Sequence, residues 1–411
     1  MLLTTFTVCC NLLILAQNNL PVFKDAVASK RTKFYTTLVN SIEKNIQLPI
    51  TNEDAWLNCF NNINLIKYKA DVVKQKLDNI ANNIQVASPH FWRSFLELIN
   101  SDYPNQYKKA VTYIYNNSKD DVTLKAMALH YLMQHADSNN LHKWINEITI
   151  LLKANKEEVV LQELLYNLEN QLQPKNITAI SSFFDTNYLP KHLLVFSLQR
   201  KNRNYPGIVI VRKPDGSFLK HDDNTFFSVP QLARSASNMP SYISLGNTPQ
   251  GIFKLTGFDT SKSFFIGPST NIQLSMPYEY CKVTINNQLV DTTWTLEQYC
   301  NLLPKPLQQY HPLYGSYFAG KAGRNEIIAH GTTIDPSYYK NETYYPLTPT
   351  AGCLATTEFW GNTTGQIQQS DQLLLTQAIQ KAGGPKGYLI VIELDDEQRA
   401  VELKDVKQYL H

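Results

Sequence analysis

The apolar stretch LLVFSL at positions 193–198, followed by IVIV at 208–211, marks the point at which the sequence changes its period. Both runs are short, rich in strand-forming residues and bounded by turn residues, which is typical of buried β-strands. The segment KPDG at 213–216 favours a hairpin-type turn. After one helical pattern near 370–382, the strand-like run YLIVIEL at 388–394 follows. We therefore predict a mostly β domain that extends from residue 195 to residue 411.

Between about residue 18 and residue 190, apolar residues instead recur every three or four positions. This spacing is typical of amphipathic helices. Ser88 followed by Pro89 predicts the start of one helix, because serine caps a first turn and proline is tolerated there. Helices joined by short polar loops favour stacked antiparallel pairs, as in a bundle or solenoid. We predict an α-helical domain over 18–190 that acts as a scaffold or as a surface for a protein partner.

The composition excludes several classes of protein. Of the 411 residues, 43% are hydrophobic, which is enough to bury a sizeable core and argues against wholesale disorder. The formal net charge is only +3 and no basic stripe stands out, so we expect no binding to nucleic acid. The histidines and cysteines lack the tight spacing of a zinc site, and we predict neither a metal nor a cofactor.

The first sixteen residues form a separate apolar segment, LLTTFTVCCNLLIL at 2–15, which ends at Ala16. A helix of fourteen residues spans roughly 21 Å, less than the hydrocarbon core of about 30 Å. We therefore predict a signal peptide over 1–16, with a buried N-terminal helix as the alternative, and no stable membrane span. The protein is expected to be periplasmic, in the cell envelope or secreted. An exported protein also permits a disulfide, for which Cys281 and Cys300 are candidate partners.

The segments IIAHGT at 327–332 and TAGCLA at 350–355 carry the residues best suited to chemistry. Two short strands joined by a long loop would bring the imidazole of His330 within hydrogen-bonding range of the Cys353 thiol, in a cleft open to solvent. A cysteine of ordinary pKa is only about 3% thiolate at pH 7, so a nucleophilic thiol needs a basic neighbour. The spacing indicates either this nucleophile–base pair or an inert buried thiol.

The glycines beside these two residues support the catalytic interpretation. Gly352 lets a substrate carbonyl approach the backbone closely, and the N–H of Cys353 is a candidate donor to the oxyanion that develops there. The carbonyl of Gly331 is a candidate to orient the imidazole, as a carboxylate does in other triads.

The same residues resemble the signature of the L,D-transpeptidase (YkuD-like) catalytic domain. That family combines a His-Gly-Thr strand, here HGT at 330–332, with a later Ser/Thr-x-Gly-Cys element, here TAGC at 350–353. TPQGIF at 248–253 is similar to the family's Thr-Pro-x-Gly-x-Phe strand, and MPY at 276–278 lies where a substrate-side Met-Pro element is often found. The pieces occur in the family's order, and the resemblance covers roughly residues 195–395.

The resemblance implies an exported enzyme with a curved β-sandwich that attacks the peptide stem of peptidoglycan and takes part in cell wall biogenesis. It forms a thioester and passes the acyl group to an amine or to water. In this sequence Cys353 would be the nucleophile, His330 its base and the Gly331 carbonyl the orienting group. Thr350 and Gly352 would shape the turn that presents the thiol. The substrate-binding candidates are Tyr314, Tyr317 and Met276.

Two positions depart from the family's pattern. Ala351 stands where a histidine is common, and Ala355 stands where an arginine or asparagine is usual. These departures leave three functions open: transpeptidation, hydrolysis as an L,D-carboxypeptidase or endopeptidase, and cell-wall binding by a catalytically degenerate domain. The loop between base and nucleophile is rich in tyrosine and is interpreted either as a lid over the thiol or as an ordinary packed surface loop.

Overall fold

The computed structural model describes residues 20–119, 121–175, 177, 179–279, 282–285, 288–291 and 294–410. In these ranges the helices come first and most strands second, so the chain is a multidomain protein with an α-helical half and a mostly β half. The segment predicted as a signal peptide, 1–16, and Cys281 of the candidate disulfide lie outside the described residues. None of the helices in these ranges is both long and apolar enough to span a bilayer.

The helical half consists, within the described residues, of eight α-helices. Ser88 caps the fourth of them by accepting the N–H of Phe91, and Pro89 is its first residue, as the sequence predicts. Asp121 caps the sixth helix in the same way. The helices are α1 (Ala28–Asn45), α2 (Glu53–Ile66), α3 (Asp71–Asn82), α4 (Pro89–Asp102), α5 (Lys108–Asn117), α6 (Val122–Met133), α7 (Ser138–Ala154) and α8 (Val159–Leu172).

The helices form a two-layered stack in which α2, α4, α6 and α8 pack against one another in succession. Helices α1, α5 and α7 each pair with the next helix of that row, an arrangement of the solenoid kind. Buried aromatic rings fill the space between neighbouring helices of the even-numbered row; the centroids of Phe60 on α2 and Phe91 on α4 are 5.2 Å apart. Helices α2, α4 and α8 of this row contact the β half, and α1 also contacts it through Arg31.

The β half contributes buried residues to the hydrophobic core of the helices, in addition to the apolar clusters on its own sheet. Met239, Tyr242 and Ile243 of the β half are buried among the apolar residues of the helices. The Asn100 side chain on α4 donates hydrogen bonds of 3.0 Å to the carbonyls of Ser237 and Asn238. The helical half is therefore held firmly against the segment that precedes the sheet's fourth strand.

Over the residues that the structure describes, the β half is built on an eight-stranded sheet with the order β3-β2-β1-β12-β4-β5-β8-β9, accompanied by two short ribbons, β10-β11 and β6-β7. The strands are β1 (Leu193–Gln199), β2 (Gly207–Arg212), β3 (Val229–Gln231), β4 (Gly251–Thr260), β5 (Thr270–Ser275), β6 (Lys282–Ile285), β7 (Gln288–Asp291), β8 (Ala329–His330), β9 (Leu354–Ala355), β10 (Glu358–Trp360), β11 (Ile367–Ser370) and β12 (Gly387–Glu393). The helices are α9 (Leu296–Leu302), α10 (Gly315–Lys321) and α11 (Asp371–Lys381).

The central strands are buried on both faces. Leu193 and Val195 of β1 belong to one apolar cluster, which includes residues of α11, whereas Leu194 and Phe196 belong to a second cluster, which includes residues of α10. Successive side chains of a strand point to opposite faces, so burial on both sides requires an apolar residue at nearly every position. This is why the sequence of these strands reads as continuous apolar runs.

The two edges of the sheet meet. Leu232, directly after β3, exchanges two backbone hydrogen bonds of 2.8 and 2.9 Å with Ala355 of β9. The sheet therefore curls around the cluster that α11 completes, and β9, which directly follows Cys353, is paired on both sides. The finer prediction of two facing sheets in a sandwich is not confirmed by this arrangement.

Candidate active site

Strands β8 and β9 place the predicted nucleophile and base on one face of the sheet. They run parallel with Ala329 opposite Leu354 and His330 opposite Ala355. One step back in this register sets Cys353 beside Ile328, two residues from His330. Because side chains alternate between faces and paired residues share a face, Cys353 and His330 point to the same side.

The turn before Cys353 is built by hydroxyl groups and a glycine. The Thr350 hydroxyl accepts the Gly352 N–H at 3.0 Å and donates to the Cys353 carbonyl at 2.8 Å. Thr248 donates to the Gly352 carbonyl at 2.8 Å. Gly352 has φ +119°, a conformation that favours glycine, and a Cβ there would overlap the Arg324 guanidinium. Thr350 therefore stabilises the turn through its hydroxyl group, and Gly352 permits the backbone conformation of the turn.

The N–H of Cys353 makes no hydrogen bond to any residue that the structure describes. The adjacent N–H groups are used differently, since Gly352 donates to Thr350 and Leu354 donates to the Ile328 carbonyl at 3.0 Å. A free backbone N–H on the nucleophile itself is the type of donor that stabilises the oxyanion of an acyl-transfer intermediate.

His330 is held in the tautomer that a general base needs. Its ring is buried, and Nδ1 lies 2.5 Å from the carbonyl oxygen of Gly331. A carbonyl only accepts, so Nδ1 carries the proton and Nε2 of the neutral ring is an acceptor. Burial lowers the pKa of His330 below its ordinary value, and the bond to Gly331 offsets part of that shift. The imidazole is therefore neutral near pH 7.

The Cys353 thiol does not hydrogen-bond to His330 in this structure. Its S–H donates instead to the Glu326 carbonyl, with Sγ and O 3.6 Å apart. Burial raises the pKa of the thiol; the Ile328 N–H and the Arg324 guanidinium act against that shift. The resting pair is a neutral thiol and a neutral imidazole, so proton transfer requires the S–H to turn from Glu326 towards the ring.

Arg324 supplies a positive charge beside the nucleophile that sequence reasoning missed. Its side chain is buried, and its guanidinium donates to the backbone carbonyls of Ser241, Asn247 (2.7 Å) and Gly246 (3.0 Å). Within the described ranges no carboxylate forms an ion pair with it. Burial lowers the pKa of Arg324 to about 10, while the nearby Cys353 raises it. The cation therefore favours the thiolate form of Cys353.

Replacement of Arg324 by Gln should make the Cys353 thiol a weaker acid, because the nearby positive charge is lost while hydrogen-bond donors remain. We expect the apparent pKa of alkylation by iodoacetamide to rise by about one unit, which lowers the rate near pH 7 about tenfold. The rate of Cys353 alkylation against pH, followed by peptide mass mapping, measures this. Arg324→Lys, which keeps the charge, is the control; equal profiles for wild type and Arg324→Gln would contradict the assignment.

Cys353 and His330 line one cavity of about 500 Å³, which is mostly apolar. Helix α2 supplies one wall, so the helical half is part of the site and not a remote scaffold. Among the described residues that line the cavity, Glu97 of α4 is the one with a formal charge. The helical residues that face this cavity are Asn61, Asn62, Asn64, Leu65 and Glu97.

The predicted substrate-binding residues are not brought to this cavity. Tyr314 is buried and donates its hydroxyl to the Gln308 carbonyl at 2.6 Å. The hydroxyls of Tyr317 and Tyr278 are 2.8 Å apart, and Met276 is buried in the core enclosed by the sheet. None of these residues lines the cavity that holds Cys353.

The tyrosine-rich loop between His330 and Cys353 is packed against the helical half. Tyr339 is buried and donates its hydroxyl to the Leu65 carbonyl at 2.7 Å. Two ion pairs hold the loop as well: Asp335 lies 3.0 Å from Arg31, and Glu342 lies 2.8 Å from Lys69. Of the two interpretations, this geometry is that of a packed surface loop.

Within the described ranges, no group of three or more His, Cys, Asp or Glu side chains is arranged to hold a metal ion. Comparison of the chain with protein-family models, with curated proteins and with solved structures finds no match.

Proposed function

We propose that the protein is a cysteine acyltransferase or hydrolase that forms a thioester on Cys353 with His330 as general base. The observation that carries this proposal is the shared cavity, which Cys353 and His330 line from one face of the sheet, together with the tautomer that leaves Nε2 of His330 unprotonated. The free N–H of Cys353 and the cation of Arg324 add an oxyanion donor and a charge that favours the thiolate.

The reaction follows from these positions. The thiol proton passes to Nε2 of His330 as Sγ attacks the substrate carbonyl, and the oxyanion is bound by the Cys353 N–H. His330 then gives that proton to the leaving amine, so that the C–N bond breaks and a thioester remains. An amine or a water molecule attacks the thioester, loses its proton to His330 and releases the thiol, whose proton returns from the ring.

The substrate class that we propose is the peptide stem of peptidoglycan, and the support for it is the ordered set of L,D-transpeptidase-like motifs. We also propose, on the same resemblance, that the protein is exported and that its β half is a curved sandwich. Helix α2 would contact the substrate, because Asn61 and Asn64 line the cavity of Cys353. Amide side chains pair with both the N–H and C=O groups of a peptide.

A second candidate function is cell-wall binding by a degenerate domain that no longer transfers acyl groups. The hydrogen bond from Cys353 to Glu326 and the raised pKa of the thiol favour it, together with Ala351 and Ala355 in place of polar residues. Hydrolysis differs from transpeptidation only in the acceptor of the acyl group.

Intact-mass spectrometry after incubation with a stem tetrapeptide or a carbapenem tests the proposal. We expect the wild-type chain to gain the mass of one acyl group and Cys353→Ala to gain none. Cys300→Ala is the matched control, since Cys300 is also a partly exposed free thiol, and it should react like wild type. An absent adduct on wild type, together with retained binding to peptidoglycan sacculi, would favour the degenerate binding domain instead.

A further inference from the structure

A second cavity of about 380 Å³ lies between helices α6 and α8 and the segment of the β half that supports the nucleophile turn. It shares no lining residue with the cavity of Cys353. Charged and amide side chains line much of it, in contrast to the largely apolar cavity of Cys353. A polar cavity at the junction of two domains is a common location for a small-molecule site.

Arg203 lines this second cavity, as do Lys175 and Lys201, and it is only 5% exposed. Its Nη2 donates to a Glu393 carboxylate oxygen at 2.8 Å, and the other oxygen of Glu393 lies 3.5 Å from Nε2 of Gln250. Nη1 of Arg203 has no hydrogen-bond partner in the described part of the chain. A buried guanidinium N–H without an acceptor is costly, so this group is suited to receive an acceptor from a ligand.

A second unpartnered group at the same cavity is also a donor. The Tyr166 hydroxyl on α8 is buried and has no partner among the described residues. Burial, with contributions from Glu163 and Glu393, raises the pKa of Tyr166 to about 12, so its hydroxyl keeps its proton. Glu163 is already engaged, since its carboxylate lies 2.8 Å from Nε2 of His311. The unsatisfied groups are therefore donors, while the acidic groups have partners.

We propose that this cavity binds a small anion, carboxylate or phosphate, with Nη1 of Arg203 and the hydroxyl of Tyr166 as donors. Charge-assisted hydrogen bonds from arginine to a carboxylate or a phosphate are stronger than hydrogen bonds between neutral groups. Both anions carry several acceptor oxygens, which suits two unpartnered donors. Binding of the anion does not depend on the proposed catalytic function.

The same cavity is connected to the nucleophile through the backbone. Nη2 of Arg203 donates to the Thr248 carbonyl at 3.4 Å, and the Thr248 hydroxyl donates to the Gly352 carbonyl at 2.8 Å. Gly352 directly precedes Cys353. An anion that hydrogen-bonds to Arg203 therefore alters the contact between Arg203 and Thr248, the residue that supports the turn before Cys353. The reactivity of Cys353 then changes when the anion binds.

Calorimetric titration of the full chain with inorganic phosphate and, separately, with citrate tests the binding, against sodium chloride at equal ionic strength. We expect phosphate, citrate or both to bind saturably to one site. The anion that binds more tightly shows whether the site prefers a phosphate or a carboxylate. Arg203→Gln should weaken binding at least tenfold and Tyr166→Phe several-fold, because each removes one donor. Lys74→Ala, at an exposed lysine outside the cavity, is the control and should bind like wild type.

Tyr166→Phe decides the question if Arg203→Gln fails to fold, since it removes only a hydroxyl. Equal binding by Tyr166→Phe and wild type, or the same response to chloride as to phosphate and citrate, would overturn the site. The rate of Cys353 alkylation by iodoacetamide measures the coupling, and at saturating anion we expect a change of at least twofold in wild type. Binding without any change in that rate would overturn the connection to the nucleophile.

Discussion

Replacement of His330 by Gln should lower the rate of the proposed acylation of Cys353 by about 100- to 10,000-fold, the usual contribution of a general base. Gln is close to histidine in size and can still donate a hydrogen bond to the Gly331 carbonyl, but it accepts no proton. Because the resting thiol is neutral, Cys353 can attack the substrate only if a base removes the proton of the thiol. No other titratable base lines the cavity among the described residues except Glu97.

The time course of the carbapenem adduct, followed by intact mass, measures this rate. Burial lowers the pKa of His330, so the wild-type rate should hold below the pH at which an ordinary histidine becomes protonated, and fall only at more acidic pH. His142→Gln, which changes an exposed histidine that lines neither cavity, is the control and should leave the rate unchanged. Equal rates for His330→Gln and wild type would remove His330 from the mechanism.

The protein should lose about 3 kcal/mol of folding stability as the pH rises from 4.5 to about 7, through the ionisation of Glu358. This carboxyl is 2% exposed, and burial raises its pKa from 4.5 to about 7, while bonds from Ser370 (2.7 Å) and Ser269 (3.0 Å) act against that shift. The folded state holds the proton more tightly than the unfolded chain. Stability is therefore full below pH 4.5 and falls until the folded state is also ionised.

Chemical denaturation of wild type and Glu358→Gln at pH 4.5 and pH 8 isolates this contribution. Gln is neutral at both values, so the variant should match wild type at pH 4.5 and exceed its stability by about 3 kcal/mol at pH 8. Glu157→Gln, at an exposed glutamate, should behave like wild type at both. A constant difference between Glu358→Gln and wild type across the pH range would show that Glu358 does not titrate in this window.

Glu358 also explains why glycine follows the base. A Cβ atom at Gly331 would overlap the Glu358 carboxyl group, which packs directly behind that residue. Gly331 in turn orients His330 through its carbonyl. The buried Glu358 carboxyl therefore packs against the residue that orients His330. A larger residue at position 331 would displace either Glu358 or the backbone that holds His330.

Local sequence patterns were sufficient for much of the architecture. The start of α4 at Pro89 and the helix α11, expected near 370–382 and found at Asp371–Lys381, depend on caps and spacing within a few residues. Strands β1 and β12 were recognisable because burial on both faces requires apolar residues throughout. The motifs around His330 and Cys353 were recognisable because each is a compact run of residues.

The rest of the site depends on contacts between distant parts of the chain. Arg324 precedes the His330 strand in an ordinary turn, KAGRNE at 321–326, and no local signal separates it from a surface arginine. The asparagines of α2 read as the polar face of a helix, although they form a wall of the Cys353 cavity. The substrate positions expected at Tyr314 and Tyr317 are buried elsewhere, since core packing uses the same aromatic residues as a pocket does.

The sequence by itself determined the order of the two halves, their helices and central strands, because these follow from local periodicity, and its short motifs proposed the thiol and imidazole as the reactive pair. Only the tertiary structure decided which face the two groups share, that the sheet closes edge to edge and that a helical domain walls the cavity. It also decided where the S–H points. The physical reason is that charge, burial and hydrogen-bond direction at the site are set by residues far apart in the chain.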